Sequence, residues 1–224
     1  MYDEHATAIQ AWARASHENM ARVACMVLIT ANHPFSRVRE DFDRVMNGDN
    51  APLFAWKSEA WRVYQAKSEE RFNRLNTLYE FHYRPRGCIN AKRVTENKML
   101  AEVVTWLGFG TVKGGFFLQL CFGLSGCIDT RNEDTFELPK LFSRGRCWKR
   151  AKTQTVYRHV NDYNRTCHSL AGGPEGLWNV WCADYATTYR GPRMDLSTPY
   201  DVSAEHCRIL GLPVAGPQAM EVPF

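Results

Sequence analysis

Apolar residues recur at helical spacing along nearly the whole chain, and turn residues cut the pattern into segments. Asp3 stands where it can cap a first helix, whose apolar face is Ile9, Trp12, Ala13, Met20, Val23, Ala24 and Val27 and which Asn32-His33-Pro34 stops. A short second helix runs from Ser36 until Asn47-Gly48 ends it. Its charges, Arg37, Arg39, Glu40, Asp41, Asp43 and Arg44, mix signs as a solvated face does. Leu53, Phe54 and Trp56 fall in a loop that they anchor to the core, with base stacking as the minor reading. From Ser58 to Tyr83, the residues Trp61, Tyr64, Phe72, Leu75, Leu78, Tyr79 and His82 predict one longer helix. The turn Arg84-Pro85-Arg86-Gly87 comes next, its arginines serving as rim charges or phosphate contacts.

Thr95 is placed to cap a helix carrying Met99, Leu100, Val103, Val104 and Leu107, which leads into Gly108 and Gly110. These glycines interrupt an otherwise apolar helical pattern, so the backbone can take positive φ and turn sharply. The spacing predicts a helix, a tight hairpin and a second helix. With Val112, Phe116, Phe117, Leu120 and Cys121, that second helix is apolar nearly all round and must be central. Its first N–H groups point outward, where a phosphate can accept from them and the helix dipole favours its charge. The apolar run then passes Phe122-Gly123 and ends in Asp129, and a carboxylate directly after a buried run is paired, caps the next segment, or is put to use.

Beyond Asp129, a loop containing Pro139 precedes Ser143-Arg144-Gly145-Arg146-Cys147-Trp148-Lys149-Arg150-Ala151-Lys152, the densest basic segment of the chain. Arg144, Arg146 and Lys149 suit a DNA backbone as well as they suit a solvated helix start. A helix through Val156, Tyr157, Val160 and Tyr163 reaches Leu170, where Ala171-Gly172-Gly173 stops it and Pro174 starts another. Leu177, Trp178, Val180, Trp181 and Tyr185 form an aromatic face that reads as core. Gly191-Pro192 ends that helix, a last one spans Ser203 to Leu210, and the tail from Ala215 to Phe224 frays. With no strand pattern, repeat or linker, the fold class is all-α and residues 1–224 form a single globular unit.

Composition adds limits. A chain of 224 residues, 45% hydrophobic, can bury a substantial core. A net charge of +4 permits nucleic-acid binding without demanding it. The longest apolar run, Gly114 to Ile128, falls short of the roughly twenty residues of a spanning helix, and acids stand near the start where a secretory signal carries positive charge. A cytoplasmic protein without membrane contact is therefore expected. Eight cysteines without C-x-x-C pairs read as reduced, mostly buried thiols. Zinc on Cys167, His168, Cys182, His206 and Cys207 would need irregular gaps, so packed core is expected there and no metal or cofactor.

The stretch L-G-F-G, followed by F-G at Phe122-Gly123 and by I-D-T-R with its acid nineteen residues after Gly110, resembles the core of the helix-hairpin-helix DNA glycosylase superfamily. The likeness covers about twenty-five residues around a core at about 95–131. It implies two packed helical subdomains with a cleft between them and double-stranded DNA as partner. It also implies that Gly108, Phe109, Gly110, Thr111 and Lys113 grip the backbone, with Arg131 beside the acid. Asp129 and Lys113 are the catalytic candidates. Two departures qualify the second: family members that form a Schiff base place a lysine two residues after the second glycine, where this chain has Val112 and Lys113 comes one residue, or 100° of helix, later, and the gap to the acid is about one residue shorter than the usual family spacing. The four closely spaced cysteines of the iron-sulfur members are absent.

The resemblance thus implies a monofunctional glycosylase: a base is extruded, and Asp129 stabilises the cationic sugar and orients or activates water. The same framework also fits a transferase of the kind that builds hypermodified thymines in bacteriophages, with the acid activating an amine. A DNA-binding protein without catalysis is the third reading.

Overall fold

The computed structural model describes residues 2–30, 35–53, 55–82, 89–139, 152–188 and 201–214, and among them the regular structure is helical throughout. Helix α1 (Glu4–Ala13) starts as expected at Asp3, whose Oδ1 accepts from Ala6 N at 2.7 Å. The long first helix expected from the pattern is two. Ala15 N turns back to Trp12 O, and Ser16 Oγ accepts from Asn19 N at 3.2 Å, so a fresh N-terminus opens and α2 (His17–Thr30) begins. A serine hydroxyl that caps competes with helix continuation, and the apolar periodicity across the break does not register it. Nine of the residues from Met20 to Ile29 are buried, which makes α2 a central element.

Helix α3 (Phe35–Met46) exposes Arg37, Arg39, Glu40, Asp43 and Arg44, while Asp41 is buried with Val38, Phe42 and Val45. Helix α4 (Ala55–Gln65) starts before Ser58, so Trp56 lies in a helical first turn and not in a loop. A turn at Ala66-Lys67 separates α4 from α5 (Ser68–His82), where the pattern predicted one helix. Helix α6 (Ile89–Val103) begins upstream of Thr95, which is therefore interior and caps nothing.

Helix α7 (Thr111–Phe122) is buried on all sides over most of its length and packs on α1, α2 and α6. Its C-terminal end is thoroughly capped. Gly123 takes the left-handed conformation, Gln10 Nε2 donates to Gln119 O at 3.2 Å, and the Arg14 guanidinium reaches Cys121 O at 3.3 Å, where a cation also opposes the helix dipole. A short helix, α8 (Thr130–Thr135), stands where a loop was expected. Helices α9 (Thr153–Ser169), α10 (Pro174–Thr188) and α11 (Val202–Leu210) complete the described chain, joined by one connected hydrophobic core. No described helix is long and apolar enough to cross a membrane.

The two hairpin glycines differ. Gly108 has φ +84°, and a Cβ there would stand 2.7 Å from Ala60 Cβ and 2.9 Å from Leu28 Cδ2. Gly110 has φ −121°, an extended conformation, with open space where a Cβ would be, so the expectation of positive φ holds at the first glycine only. Gly108→Ala is expected to cost about 2 to 4 kcal/mol through strain and overpacking, whereas Gly110→Ala leaves stability nearly unchanged. Urea denaturation of the two variants checks the contrast.

Candidate functional site

The hairpin rests on an aromatic cushion. Trp106, Phe109 and Phe117 meet pairwise at centroid distances of 5.6 to 5.7 Å, and Tyr64 meets Trp106 and Phe117 edge-on and Phe109 at a tilt. The buried Arg71 guanidinium lies 4.8 Å over Tyr64 and 4.7 Å over Trp106. Phe109, expected to face DNA, is 5% exposed and belongs to this cushion. A bulky ring beside a close-packed turn lowers its free energy more by burial than by exposure to water.

Above the cushion, α7 opens without a cap. Gly110 offers no side-chain acceptor, and among the described residues no acceptor meets the N–H groups of Thr111, Val112 and Lys113. Thr111 itself is buried, its Oγ1 3.3 Å from His159 Nε2, so its side chain is a tie between α7 and α9. These N–H groups remain as the part of the hairpin without a partner among the described residues.

Asp129 follows a segment that meets α7 through a close backbone contact. A Cβ on Gly115 would collide with Gly126 O, so only glycine lets the segment after α7 turn back against the helix. The Tyr163 hydroxyl clasps that segment, donating to Gly126 O at 2.6 Å and accepting from Ile128 N at 3.0 Å. One helical turn earlier on α9 stands His159, the partner of Thr111. Asp129 then caps α8: its Oδ1 accepts from Arg131 N and Asn132 N, both at 3.1 Å, and its Oδ2 accepts from Trp181 Nε1 at 3.2 Å. Three N–H donors thus fix the carboxylate of Asp129.

Lys113 looks the other way. It lies 200° around α7 from Gly115, on the side of α4, where its Nζ stands 4.3 Å over the Trp56 ring and donates to Gly108 O at 3.2 Å. Burial, and secondarily the charge of Lys57, bring its pKa down to about 7. The two catalytic candidates therefore sit on opposite faces of α7. Val112, at 60° from Gly115, is nearer the Asp129 side. Arg131 is partly buried beside its neighbour Asp129, while Arg144, Arg146 and Lys149 lie outside the described residues.

Sequence reasoning missed several groups here. Trp181 was read as core; its ring does pack on Phe116 and Trp178, but its N–H orients the acid. His159 and Lys57 carried no signal at all. Lys57 is 1% exposed, with Nζ donating to Ile29 O at 3.1 Å, a burial that periodicity does not assign to a lysine.

Glu96 is the hidden support of the return segment. Buried in α6, it accepts from Ser125 N at 2.7 Å and from His168 Nε2 at 2.8 Å, while Ser125 holds φ +58° and donates from Oγ to Asn164. A groove of about 690 Å³ runs between α5, α6 and α9, lined among others by Arg74, Lys98, Glu102, Thr105 and Tyr157. Neither Asp129 nor Lys113 lines it, so the chemistry argued from the carboxylate does not depend on the groove. Among the described residues no three His, Cys, Asp or Glu side chains converge as a metal site, and Cys167 and Cys207 are buried. Comparison of the chain with protein-family models, with curated proteins and with solved structures found no match.

Two histidines set opposite pH limits. The Glu96 carboxylate raises the pKa of His168 above 6.5, so the stability it adds is present below that value and is lost as pH rises through the folded pKa. His206, packed among Phe116, Trp178 and Trp181, is brought by burial down to about 4. There the unfolded chain binds the proton first, and stability falls by up to about 1.4 kcal/mol per pH unit between 6.5 and 4. Urea denaturation as a function of pH is expected to show the alkaline loss vanish in His168→Gln and the acid loss shrink in His206→Gln.

Proposed function

We propose that this chain is a DNA base-processing enzyme of helix-hairpin-helix glycosylase type, with Asp129 as its catalytic carboxylate. One observation carries the reading: a segment that packs back against α7 ends in a carboxylate fixed by three N–H donors, and α7 itself opens without a side-chain cap. A helix start of that kind accepts a backbone phosphate without regard to sequence. A duplex base is out of reach of any side chain until extruded, and in this reading it enters a cleft between two helical subdomains beside the hairpin.

As the N-glycosidic bond lengthens, positive charge grows on the sugar. A carboxylate already oriented by Trp181 and the α8 backbone stabilises that charge without reorganising, which is where preorganised electrostatics contribute most. Water is the nucleophile, because Lys113 faces α4 and Val112 occupies the position nearer the acid. The base is released and the strand stays intact.

The test uses duplexes bearing uracil, oxidised, alkylated or 5-hydroxymethyl pyrimidine bases, with mass spectrometry of the strands and of the released small molecules. Asp129→Asn is expected to lower base release at least about a hundredfold with DNA binding retained, and Trp181→Phe to lower it about tenfold through loss of one orienting donor. Binding by wild type without any freed base would replace hydrolysis with group transfer or with binding alone.

A further inference from the structure

We propose that Trp56 and Lys113 form a proton-gated contact for an unpaired nucleotide of DNA: Lys113 leaves the indole face to take a phosphate, and the face it uncovers stacks the adjacent base. The proposal rests on the reading that the hairpin meets DNA, and adds to it a second contact on the opposite side of α7 from Asp129.

The argument starts from an electrostatic mismatch. Lys113 is partly buried, yet its contacts among the described residues are a carbonyl, Gly108 O, and a π face, Trp56. The charge that acts on it is another cation, Lys57, whose Nζ stands 5.8 Å from the same ring. Asp41 of α3 acts on Lys57 and not on Lys113. A half-buried amine beside a like charge and without a carboxylate is costly to protonate, and an anion brought from outside removes that cost.

The second observation is the indole. Trp56 is 44% exposed, although it packs close to Gly108, where a Cβ would stand 3.7 Å from its Cζ3. A tryptophan at the edge of a turn, with a cation laid over it, offers what a single strand recognises: a stacking surface and a counter-charge for the phosphate next to it. In the free protein Lys113 covers that surface. Moving to a phosphate both completes its charge and opens the ring, so phosphate contact and stacking are one step. The proton is taken up in the same step, because the phosphate favours the ammonium form.

Anisotropy of a labelled single strand of about twelve thymidines and of a blunt duplex tests this between about pH 6.5 and pH 8. Wild-type affinity for the single strand is expected to fall roughly eightfold across that range as the amine deprotonates, and Lys113→Arg to bind with a nearly flat pH profile. Trp56→Ala weakens single-strand binding roughly tenfold, Trp56→Phe restores part of it, and duplex binding changes less. Lys113→Met lowers the salt slope by about 0.7. Unchanged affinity in Trp56→Ala, or an unaltered pH profile in Lys113→Arg, each in a variant that melts like wild type, overturns the proposal and leaves the hairpin reading standing. Failure of wild type to bind either DNA overturns both.

Discussion

The placement of Asp129 depends on how closely the chain can return against α7. Two backbones meet at Gly115 and Gly126, where a Cβ on Gly115 would collide with Gly126 O, while the missing Cβ of Gly126 makes room for Leu177 of α10. Close approach exposes peptide groups that must find partners away from water. The Tyr163 hydroxyl meets that demand on both sides, and Glu96 and Asn164 take up the N–H and hydroxyl of Ser125. Polar side chains from α6 and α9 therefore hold a segment that has no regular hydrogen bonding of its own. Asp129 is delivered by this clasp.

A second constraint is the asymmetry of α7. Its C-terminal end is closed by Gly123, Gln10 and Arg14, and its N-terminal end lacks a side-chain cap. A helix so buried draws its stability from packing, so one end can be left open at small cost. The aromatic cushion of Tyr64, Trp106, Phe109 and Phe117 holds that open end in place, with Gly108 seated against Ala60 and Leu28. Rigidity beneath and unpaired N–H groups above are compatible because they belong to different residues of the same turn.

Charge is distributed by face. On one side of α7 a carboxylate is surrounded by donors; on the other, two lysines share an indole, and among the described residues the nearer lysine meets no carboxylate. The helix between them is apolar, so the two environments do not neutralise each other. Asp129 and Lys113 became candidates through the resemblance, with the lysine one residue off the family's position. The 200° between positions 113 and 115 separates them in space.

Periodicity by itself determined the all-helical class, the central rank of α7, the start of α1 at Asp3 and the glycine turn at Gly108, because each depends on local backbone preference or on the width of an apolar stripe. It did not determine the break at Ser16, the separation of α4 from α5, or the existence of α8, where short-range caps and turns act beneath a continuous apolar pattern. The candidate acid was legible as a carboxylate after a buried run. Its orientation was not, since Trp181 comes from 52 residues away. Tertiary structure alone decided that Phe109 and Thr111 turn inward, that Lys57 is buried and that Lys113 lies on Trp56. Those outcomes depend on which distant side chains close around each residue, and the order of residues along the chain carries no measure of that.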